Sequence, residues 1–537
     1  MTPTGTQGFG TTADVVVVGC GAGGGVIAKE LGEAGLSVVV LEAGRRYDPE
    51  ADYPTDQREF EAKIPHIFAP PNARRDRYTS SGRFTYSRVK GVGGSTLHYQ
   101  AVSPRMHESD FRVRTLDGVA DDWPITYAEL EPYYTRVEWE LGVAGPSGEH
   151  ANPFEPPRSQ RYPTPAHPFD LTNLAIKRGA DRLGLHLVEV PVAIPTKNWM
   201  GRPACLSAGT CDFGCRARAK SSIDVTYVPK AEATGRIEIR TLAMAREVTV
   251  APDGRARGVV YIDADGEERY VAARAVVLAG NAVETPRLLL MSTSSAFPHG
   301  LANSSGLVGR NFTEHLAVFA KGAFDERLDP WRGMPVKGLI QDFYETSAGN
   351  DFARGWSLLT ESGGAWPLTT ARRAGGWGAG HKARMLDSFA HTVGMSSVGE
   401  QLPHPENSVR LDPFQKDSFG LPVPFLTNRQ RGNDVAMIRR ISEELKQILD
   451  AAGAREVVVD PSVPGMSAHY LGTCRMGQDP GSSVVDRWCK AHDVPNLFIG
   501  DGSVFVTAGA VNPALTISAL ATRTAGGIIE KFDAGEL

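Results

Sequence analysis

The segment over residues 13–44, ADVVVVGCGAGGGVIAKELGEAGLSVVVLEAG, restricts the possible fold more than any other part of the chain. It begins with the apolar, β-branched run Val15–Val18, which is typical of a buried strand. A glycine-rich turn and a helical stretch ending at Gly35 follow, and a second apolar run, Val38–Leu41, stops at Glu42. This order of strand, glycine turn, helix and strand predicts a βαβ unit that binds a dinucleotide.

The turn and the acidic residue after the second strand supply six candidate cofactor-binding residues: Gly19, Gly21, Ala22, Gly23, Gly24 and Glu42. In this G-x-G-x-x-G pattern Gly19 makes the tight turn, Gly21 lets the backbone approach a pyrophosphate, and Gly24 packs the helix on the strand. The helix N-terminus faces the negative phosphates. Glu42 can accept hydrogen bonds from a ribose hydroxyl pair. The position of the unit near the start of the chain, and its VLEAG ending, favour FAD over NAD.

Composition argues against several classes of partner. The 537 residues carry a net charge of −5, which indicates neither nucleic acid nor an anionic membrane surface. No apolar run reaches the ~18–20 residues that a membrane helix needs, so direct membrane insertion is not expected. The start of the chain lacks a basic region followed by a long apolar one, and six cysteines are too few for a disulfide scaffold. We therefore expect a cytoplasmic protein, with export alongside a partner that carries a signal as the open alternative.

Other segments predict individual elements. A helix is capped near Thr126, and residues 236–278 alternate between apolar and polar types as a β-meander with hairpins at PDG and DADG. A long amphipathic helix is predicted to be capped by Asp434 and ended by Gly453. The glycine-rich segment Gly363–Gly380 is interpreted either as a surface loop or as a mobile lid over a pocket.

Four separated stretches resemble one protein family. They are the first glycine turn with Glu42, the segments GVGGSTLH and AGNAVETPRLL, and a C-terminal block that contains HYLGTCRMG, NLFIGDGS and AVNPALTISALATR. Together they resemble the glucose–methanol–choline family of FAD oxidoreductases, in particular its bacterial sugar-oxidising branch. The resemblance implies an α/β fold: a Rossmann-type FAD-binding domain joined to a discontinuous α+β substrate-binding domain built on an antiparallel sheet.

The resemblance also implies a division of the chain. The FAD-binding part would span residues 11–317, with insertions around 106–214 that contribute to the substrate side. A substrate-binding domain would span residues 318–459. A C-terminal return to the FAD domain, over residues 460–537, would carry a catalytic histidine and asparagine.

Further cofactor-binding residues follow from the resemblance. A second glycine-rich loop beside the flavin would supply Gly91, Gly93, Gly94 and Ser95. Elsewhere the contacts would come from Val248, Asp501, Gly502, Pro513 and His98. The backbone of Val248 would face the adenine, and the pair Asp501–Gly502 would hold the ribityl chain and the phosphates. Pro513 would start a helix at the flavin ring, whose positive end favours the anionic reduced flavin. His98 would contact the flavin, and covalent attachment through it stays open.

The stretch SAHYLGTCRMG contains His469 and Cys474, which on their own fit a nucleophile with its base, part of a metal site, or a histidine that serves a cofactor. The resemblance implies the last, with Asn512 as the partner of His469. A neutral imidazole, with an ordinary pKa near ~6.5, suits removal of a hydroxyl proton at neutral pH. Asn512 can donate a hydrogen bond to the substrate oxygen. Cys474 is then expected to be a small buried residue.

The implied reaction is oxidation of a secondary hydroxyl of a sugar or glycoside, at C2 or C3 of a pyranose, to a ketone. The proton would go to the base and the hydride to flavin N5, with oxygen or a quinone-type compound as the final acceptor. Three alternatives remain open: the catalytic subunit of a membrane-linked dehydrogenase with a small partner subunit, an oxidase of a non-sugar alcohol such as a sterol, and a hydroxynitrile lyase.

Three cysteines lie close together in the sequence CLSAGTCDFGC: Cys205, Cys211 and Cys215. Three thiolates could hold a three-iron cluster. A structural zinc site would need a fourth ligand, which the segment does not supply. Plain thiols are the favoured interpretation, so no metal is expected, and a cluster or a Cys205–Cys211 disulfide are the alternatives.

Overall fold

A computed structural model describes residues 10–54, 77–148, 151–361, 371 and 375–537. Its strands are β1 Thr12–Val18, β2 Val38–Leu41, β3 Thr79–Ser80, β4 Ala144–Gly145, β5 Thr164–Pro165, β6 Val188–Glu189, β7 Ile237–Arg240, β8 Met244–Val250, β9 Ala256–Ile262, β10 Glu268–Leu278, β11 His315–Leu316, β12 Phe319–Ala323, β13 Val336–Ile340, β14 Trp356–Glu361, β15 Thr392–Glu400, β16 Ser408–Lys416, β17 Pro422–Thr427, β18 Glu456–Asp460 and β19 Leu497–Ile499. Its α-helices are α1 Gly24–Glu33, α2 Pro49–Asp52, α3 Val113–Asp117, α4 Tyr127–Leu141, α5 Leu171–Arg182, α6 Tyr227–Ala233, α7 Asn281–Met291, α8 Gly378–His391, α9 Gly432–Ala452 and α10 Ala514–Asp533.

The first sheet contains the predicted βαβ unit. Strands β7, β2, β1, β10 and β19 lie side by side and run parallel, while β9 and β8 extend the long β10 as an antiparallel meander. The runs Val15–Val18 and Ala275–Leu278 are almost entirely buried, as expected for parallel strands covered on both faces. Helix α1 packs against α6, α10 and the sheet. The predicted strand–turn–helix–strand order is confirmed, and so is the meander for β8, β9 and β10. Its predicted first strand, β7, instead pairs in parallel with β2 at the other edge of the sheet.

The second sheet is antiparallel, in the order β18-β12-β15-β14-β13-β6, with β11 paired to β15. Helix α9 covers one of its faces through Ile441, Leu445 and Ile448, which recur at helical spacing. A further small sheet joins β16, β17 and β3. The α/β class and the antiparallel substrate-side sheet are as the sequence predicts, while the domain bounds stay a prediction.

Helix ends show where local signals are sufficient. Thr126 caps α4 as expected, since its side chain accepts from the Glu129 amide at 3.3 Å. The prediction for α9 is wrong by one turn at its start. The helix begins at Gly432, and Asp434 lies inside its first turn, where the carboxylate accepts from the Arg431 amide at 2.9 Å. Gly453 ends the helix with a φ of +97°, as predicted.

The glycine-rich segment and the absence of a membrane helix were the two remaining expectations about the fold. Most of the glycine-rich segment Gly363–Gly380 lies outside the described residues, so the lid interpretation stays a prediction. Within the described part of the chain, no helix combines the length and the apolar character that crossing a membrane requires.

Candidate active site

A cavity of ≈ 560 Å³ lies where the two sheets meet the C-terminal return of the chain. One end is formed by the loops that follow β1, β2 and β10, which is the edge where open α/β sheets bind their ligands. The other end is formed by β14 and β15 of the antiparallel sheet, together with residues 466–470 and 512–514. The cavity therefore joins a nucleotide-type crevice to a chamber built by the second sheet.

Around the two glycine loops the crevice wall is formed by backbone, because side chains would not fit there. A Cβ atom on Gly19, whose φ is +97°, would lie 2.4 Å from the Ala279 oxygen, and one on Gly23 would lie 1.6 Å from the Gly500 oxygen. The two glycine loops also touch, since a Cβ on Gly94 would lie 2.8 Å from the Cα of Gly21. A glycine backbone wall beside the N-terminus of α1 lets a pyrophosphate approach closely, so the residues present fit FAD.

We expect Gly94→Ala to weaken FAD binding about tenfold, which corresponds to about 1.4 kcal/mol, because the new methyl group forces the two glycine loops apart. Gly118→Ala is the matched control. Gly118 also has a positive φ, of +70°, but nothing lies within 4 Å of its Cβ position. Both variants carry the same backbone strain, of about 1–2 kcal/mol, so only the control should keep wild-type affinity in a flavin titration of the stripped protein. Equal affinities in the two variants would contradict the role of the contact.

Glu42 and Asp501 are acidic residues that line the crevice and are held by backbone donors. Glu42 accepts from the amides of Cys20 at 3.0 Å and Gly44 at 2.8 Å. These bonds lower the pKa of Glu42, but burial raises it by more. Asp501 accepts from the amides of Asn281 at 2.9 Å and Ser503 at 2.8 Å, and burial raises its pKa as well. Each carboxylate oxygen has a second lone pair, which leaves Glu42 able to bind a ribose hydroxyl. Asp501 acts by fixing the loop that carries Gly502.

The structure brings most of the predicted residues to one cavity. Those that line it are Gly19, Gly21, Ala22, Gly23, Glu42, Gly94, Ser95, His98, His469, Asp501, Gly502, Asn512 and Pro513. Those that lie behind the wall are Gly24, Gly91, Gly93 and Val248. The three glycines pack where any side chain would clash, as at Gly24, where a Cβ would lie 2.0 Å from the Gly19 oxygen.

Val248 is not placed as its predicted role requires. Its amide donates to the Ser292 hydroxyl at 2.9 Å, and the residue is buried inside the meander. The part of the chain that lines the cavity here is Ala243–Ala245, at the start of β8. A bulge between Ala245 and Glu247 shifts the register of β8 between the cavity-lining residues and Val248.

His98 is oriented by the cysteine-bearing loop. Its Nδ1 lies 2.7 Å from the Asp212 carbonyl, which can only accept, so Nδ1 carries the proton. Lys220 fixes both loops, since its buried ammonium donates to the carbonyls of Leu97, Tyr99 and Cys211 at 2.8, 3.1 and 2.6 Å. Covalent attachment of the flavin through His98 stays a prediction.

The three neighbouring cysteines are free thiols in the structure, as are the other three. Burial raises the pKa of the Cys205 and Cys211 thiols, which disfavours the thiolate form that a metal needs. Among the described residues, no group of three or more His, Cys, Asp or Glu side chains is arranged to hold a metal ion. The choice among plain thiols, a cluster and a disulfide stays a prediction.

His469 and Asn512 line the chamber end of the cavity. Burial and the neighbouring His315 lower the pKa of His469 well below its ordinary value, so the ring is neutral at physiological pH. The Oδ1 atom of Asn512 is buried and has no hydrogen-bond partner among the described residues. A neutral ring and an unpaired amide oxygen beside one chamber are suited to bind and deprotonate a hydroxyl group, since both can accept a hydrogen bond from it.

Two features of this end escape the sequence analysis. Nδ1 of His315 lies 3.0 Å from Nδ1 of His469, and burial lowers the pKa of His315 to about 4. Its Nε2 lies 2.9 Å from the carbonyl of Gly509, three residues before Asn512. The only sequence signal for His315 is a histidine directly ahead of the apolar run LAVFA.

The second feature is a buried ionic network around Arg354. Its guanidinium donates to Glu400 at 2.6 Å and Asp117 at 2.8 Å, and also to Asp110. The other oxygen of Glu400 accepts from the amide of Gly509 at 3.1 Å. The loop that leads to Asn512 is thus held on its carbonyl side by His315 and on its amide side by Glu400.

Comparison with known proteins agrees with this geometry. An amino-terminal family model described as GMC oxidoreductase matches residues 13–317, and the corresponding carboxy-terminal model matches residues 403–521. The chain belongs to the GMC oxidoreductase family. GMC stands for glucose–methanol–choline, so the resemblance inferred from the motifs is confirmed, and the protein is an FAD-dependent oxidoreductase that acts on CH–OH groups.

Relatives and solved structures match almost the whole chain. It is 36% identical, over 97% of its length and 95% of the relative, to a 2-methyl-1,2-propanediol dehydrogenase of Mycolicibacterium austroafricanum. It is 31% identical, over 98% of its length and 99% of the relative, to the fructose dehydrogenase large subunit of Gluconobacter japonicus. A crystal structure of pyridoxine 4-oxidase from Mesorbium loti superposes with a TM-score of 0.64 at 18% identity, over 96% of this chain and 98% of that one, which confirms the fold. When bound, FAD supplies the acceptor for the hydride of the CH–OH group.

Proposed function

We propose that this GMC oxidoreductase oxidises a secondary hydroxyl of a sugar or glycoside, at C2 or C3 of a pyranose ring, to a ketone. The observation that carries the proposal is a polar wall in the same cavity as His469 and Asn512. Glu361 at the end of β14 and Ser396 in β15 face the cavity with Gln100 and Asp212. Such a wall offers several hydrogen-bonding groups to a polyhydroxylated substrate and little to a sterol or a long alkyl chain.

The wall is a connected set of groups. Ser396 donates to Glu361 at 2.6 Å, and the Gln100 amide donates to the other Glu361 oxygen at 3.4 Å and also to Asp212. Burial raises the pKa of Glu361 to about 7 and that of Asp212 to about 6. The two carboxyls can therefore each donate or accept, depending on their protonation, which suits the mixed donors and acceptors of a sugar.

The roles of the catalytic pair are part of the proposal. His469 would take the hydroxyl proton, and Asn512 would bind the substrate oxygen and hold the C–H bond in line. The enclosed chamber would keep bulk water away from the reacting carbon. The test is anaerobic mixing of the FAD-bound protein with a panel of aldoses, glycosides, ketoses, small diols and sterols, with bleaching of the flavin as the signal. Bleaching by glycosides, with a 2- or 3-keto product, is the expected result. Bleaching by sterols alone would contradict the proposal.

A small diol is the second candidate substrate. It is favoured by the 36% identity to a protein named 2-methyl-1,2-propanediol dehydrogenase. The same panel separates the two candidates, because a diol presents one or two hydroxyls and leaves most of the polar wall unused. Faster bleaching by small diols than by any sugar would favour this candidate.

We propose oxygen or a quinone-type compound as the final acceptor, and a location in the cytoplasm. The similarity to a large subunit adds a second arrangement, in which a small partner subunit takes up the electrons. Reoxidation of the bleached protein by air or by a soluble quinone distinguishes the acceptors. Co-purification from the native host, followed by mass analysis, shows whether a small subunit is bound.

The polar wall also predicts a dependence of stability on pH. We expect Glu361→Gln to stabilise the protein at pH ~8.5 but to change little at pH ~4, where the carboxyl is protonated in both the folded and the unfolded chain. The pKa of Glu361 is about 7 in the folded protein, above its ordinary value of 4.5. The wild type therefore loses stability as the pH rises from about 4.5 to about 7, because the buried carboxyl must ionise. The gain at high pH should be about 1–3 kcal/mol. Thermal melts measure it, with Glu443→Gln, an exposed position on α9, as control. A gain that is the same at both pH values would contradict the assignment.

A further inference from the structure

His315 lies at the start of β11 and is buried beneath the ring of His469. The two rings stand almost perpendicular, at 88°, with their Nδ1 atoms 3.0 Å apart. The opposite nitrogen of His315, Nε2, lies 2.9 Å from the Gly509 carbonyl. Every polar atom of the His315 ring is therefore used within the protein.

This geometry allows one arrangement of protons. The Gly509 carbonyl can only accept, so Nε2 of His315 carries a hydrogen. Burial lowers the pKa of His315 to about 4, so the ring is neutral and its Nδ1 has a lone pair instead of a proton. The short contact between the two Nδ1 atoms then requires that His469 donate from its own Nδ1. In a neutral ring this leaves Nε2 of His469 as the atom that accepts a proton.

We propose that His315 is a positioning residue that fixes the tautomer and orientation of His469, so that the lone pair of Nε2 is available in the substrate chamber. The inference rests on the proposed role of His469 as base. During the reaction Nε2 of His469 gains the proton of the substrate hydroxyl, and Nδ1 keeps its hydrogen bond to His315. No proton passes to His315, whose other nitrogen already carries one.

Glu314, the residue before His315, holds the backbone of His469. Glu314 accepts from the Ser467 hydroxyl at 2.9 Å, and this hydroxyl accepts from the His469 amide at 3.2 Å. Glu314 also accepts from the Gly465 amide at 2.6 Å and from Asn428 at 2.8 Å. Two consecutive residues thus fix His469, one through its ring and one through its main chain.

The carboxylates around His315 do not compete for its ring. Glu400 lies opposite His315 in the pairing of β11 with β15, but its oxygens accept from Arg354 and from the Gly509 amide. Glu314 is engaged by the donors that approach from the 465–467 segment and from Asn428. His469 is therefore the group to which Nδ1 of His315 is committed.

A matched pair of amide substitutions tests the proposal. In His315→Asn the side-chain amide occupies the place of Nδ1, so its oxygen can accept from His469. In His315→Gln the amide reaches the place of Nε2, so it keeps the Gly509 contact but leaves His469 without an acceptor. We expect Asn to reduce its flavin within a few-fold of the wild type and Gln to be slower by about 10- to 100-fold, at unchanged FAD content.

The reverse order overturns the proposal, because a purely structural anchor of Gly509 is better preserved by Gln. Wild-type rates in both variants, or equal losses in both, overturn it too, since the acceptor at Nδ1 would then be irrelevant. His469→Ala is measured in the same experiment. If that variant reduces its flavin normally, the proposed base has failed, and this result is distinguishable from the failure of His315 beside an essential His469.

Discussion

His469→Ala is expected to slow anaerobic flavin reduction by roughly 10²–10⁴, the usual contribution of a positioned general base. FAD should still bind, because the glycine loops and Glu42 hold the far end of the cofactor crevice. Raising the pH should partly restore the rate of flavin reduction, because a larger fraction of the substrate is then alkoxide, which needs no base. Stopped-flow mixing without an acceptor measures this half-reaction alone.

Asn512→Ala serves as the comparison for this result. It removes one donor to the substrate oxygen while the base remains, so its loss of rate should be smaller. Equal rates in His469→Ala and the wild type would mean that His469 is a hydrogen-bonded core histidine and not the base. Loss of FAD from His469→Ala would show that the ring also supports the cofactor.

Arg354→Met should be the most destabilising of these substitutions, at about 3–5 kcal/mol of unfolding free energy. Asp110 and Glu400 are completely buried and would lose their common cation. Burial raises the pKa of both carboxyls. The loss of unfolding free energy in Arg354→Met should therefore be largest at high pH and should shrink as acid neutralises the two carboxyls. Chemical unfolding at two pH values measures both effects.

The triple variant Arg354→Met, Asp110→Asn and Glu400→Gln is the control. It removes the charges along with the cation, so much of the lost stability should return. Glu400 also holds the amide of Gly509, hence both variants should show slower flavin reduction than the wild type even when folded. If Arg354→Met were as stable as the wild type, the ionic network would not contribute to the stability of the fold.

The part of the site that could be predicted from the sequence is formed by residues that are close together in the chain. The run Gly19–Gly24 and Glu42 belong to one continuous βαβ unit, whose spacing reflects strand and helix periods. Thr126 and Gly453 were correct for the same reason, since a cap depends on the next few residues. His469 and Asn512 were placed only because several motifs occur together in the order of a known family.

The rest depends on contacts between distant segments. His315 meets His469 across 154 residues, and Arg354 meets Asp110 across 244, so neither pair has a local pattern. The error at Val248 has a similar origin. A bulge in β8 shifts the register between Ala245 and Glu247, and the alternation of residue types does not reveal it.

The walls of the cavity come from different parts of the fold, and this has a consequence for how such an enzyme can change. The proposed catalytic pair, His469 and Asn512, lies on the C-terminal return beside His315 and the Gly509 loop, whereas Glu361 and Ser396 belong to neighbouring strands of the antiparallel sheet. Under the proposed function, substitutions at Glu361 and Ser396 exchange one substrate for another, provided that Glu400, which ends β15 and holds Gly509, is kept. Specificity and chemistry are therefore separately adjustable, and a library restricted to the ends of β14 and the middle of β15 is the shortest route to a new substrate.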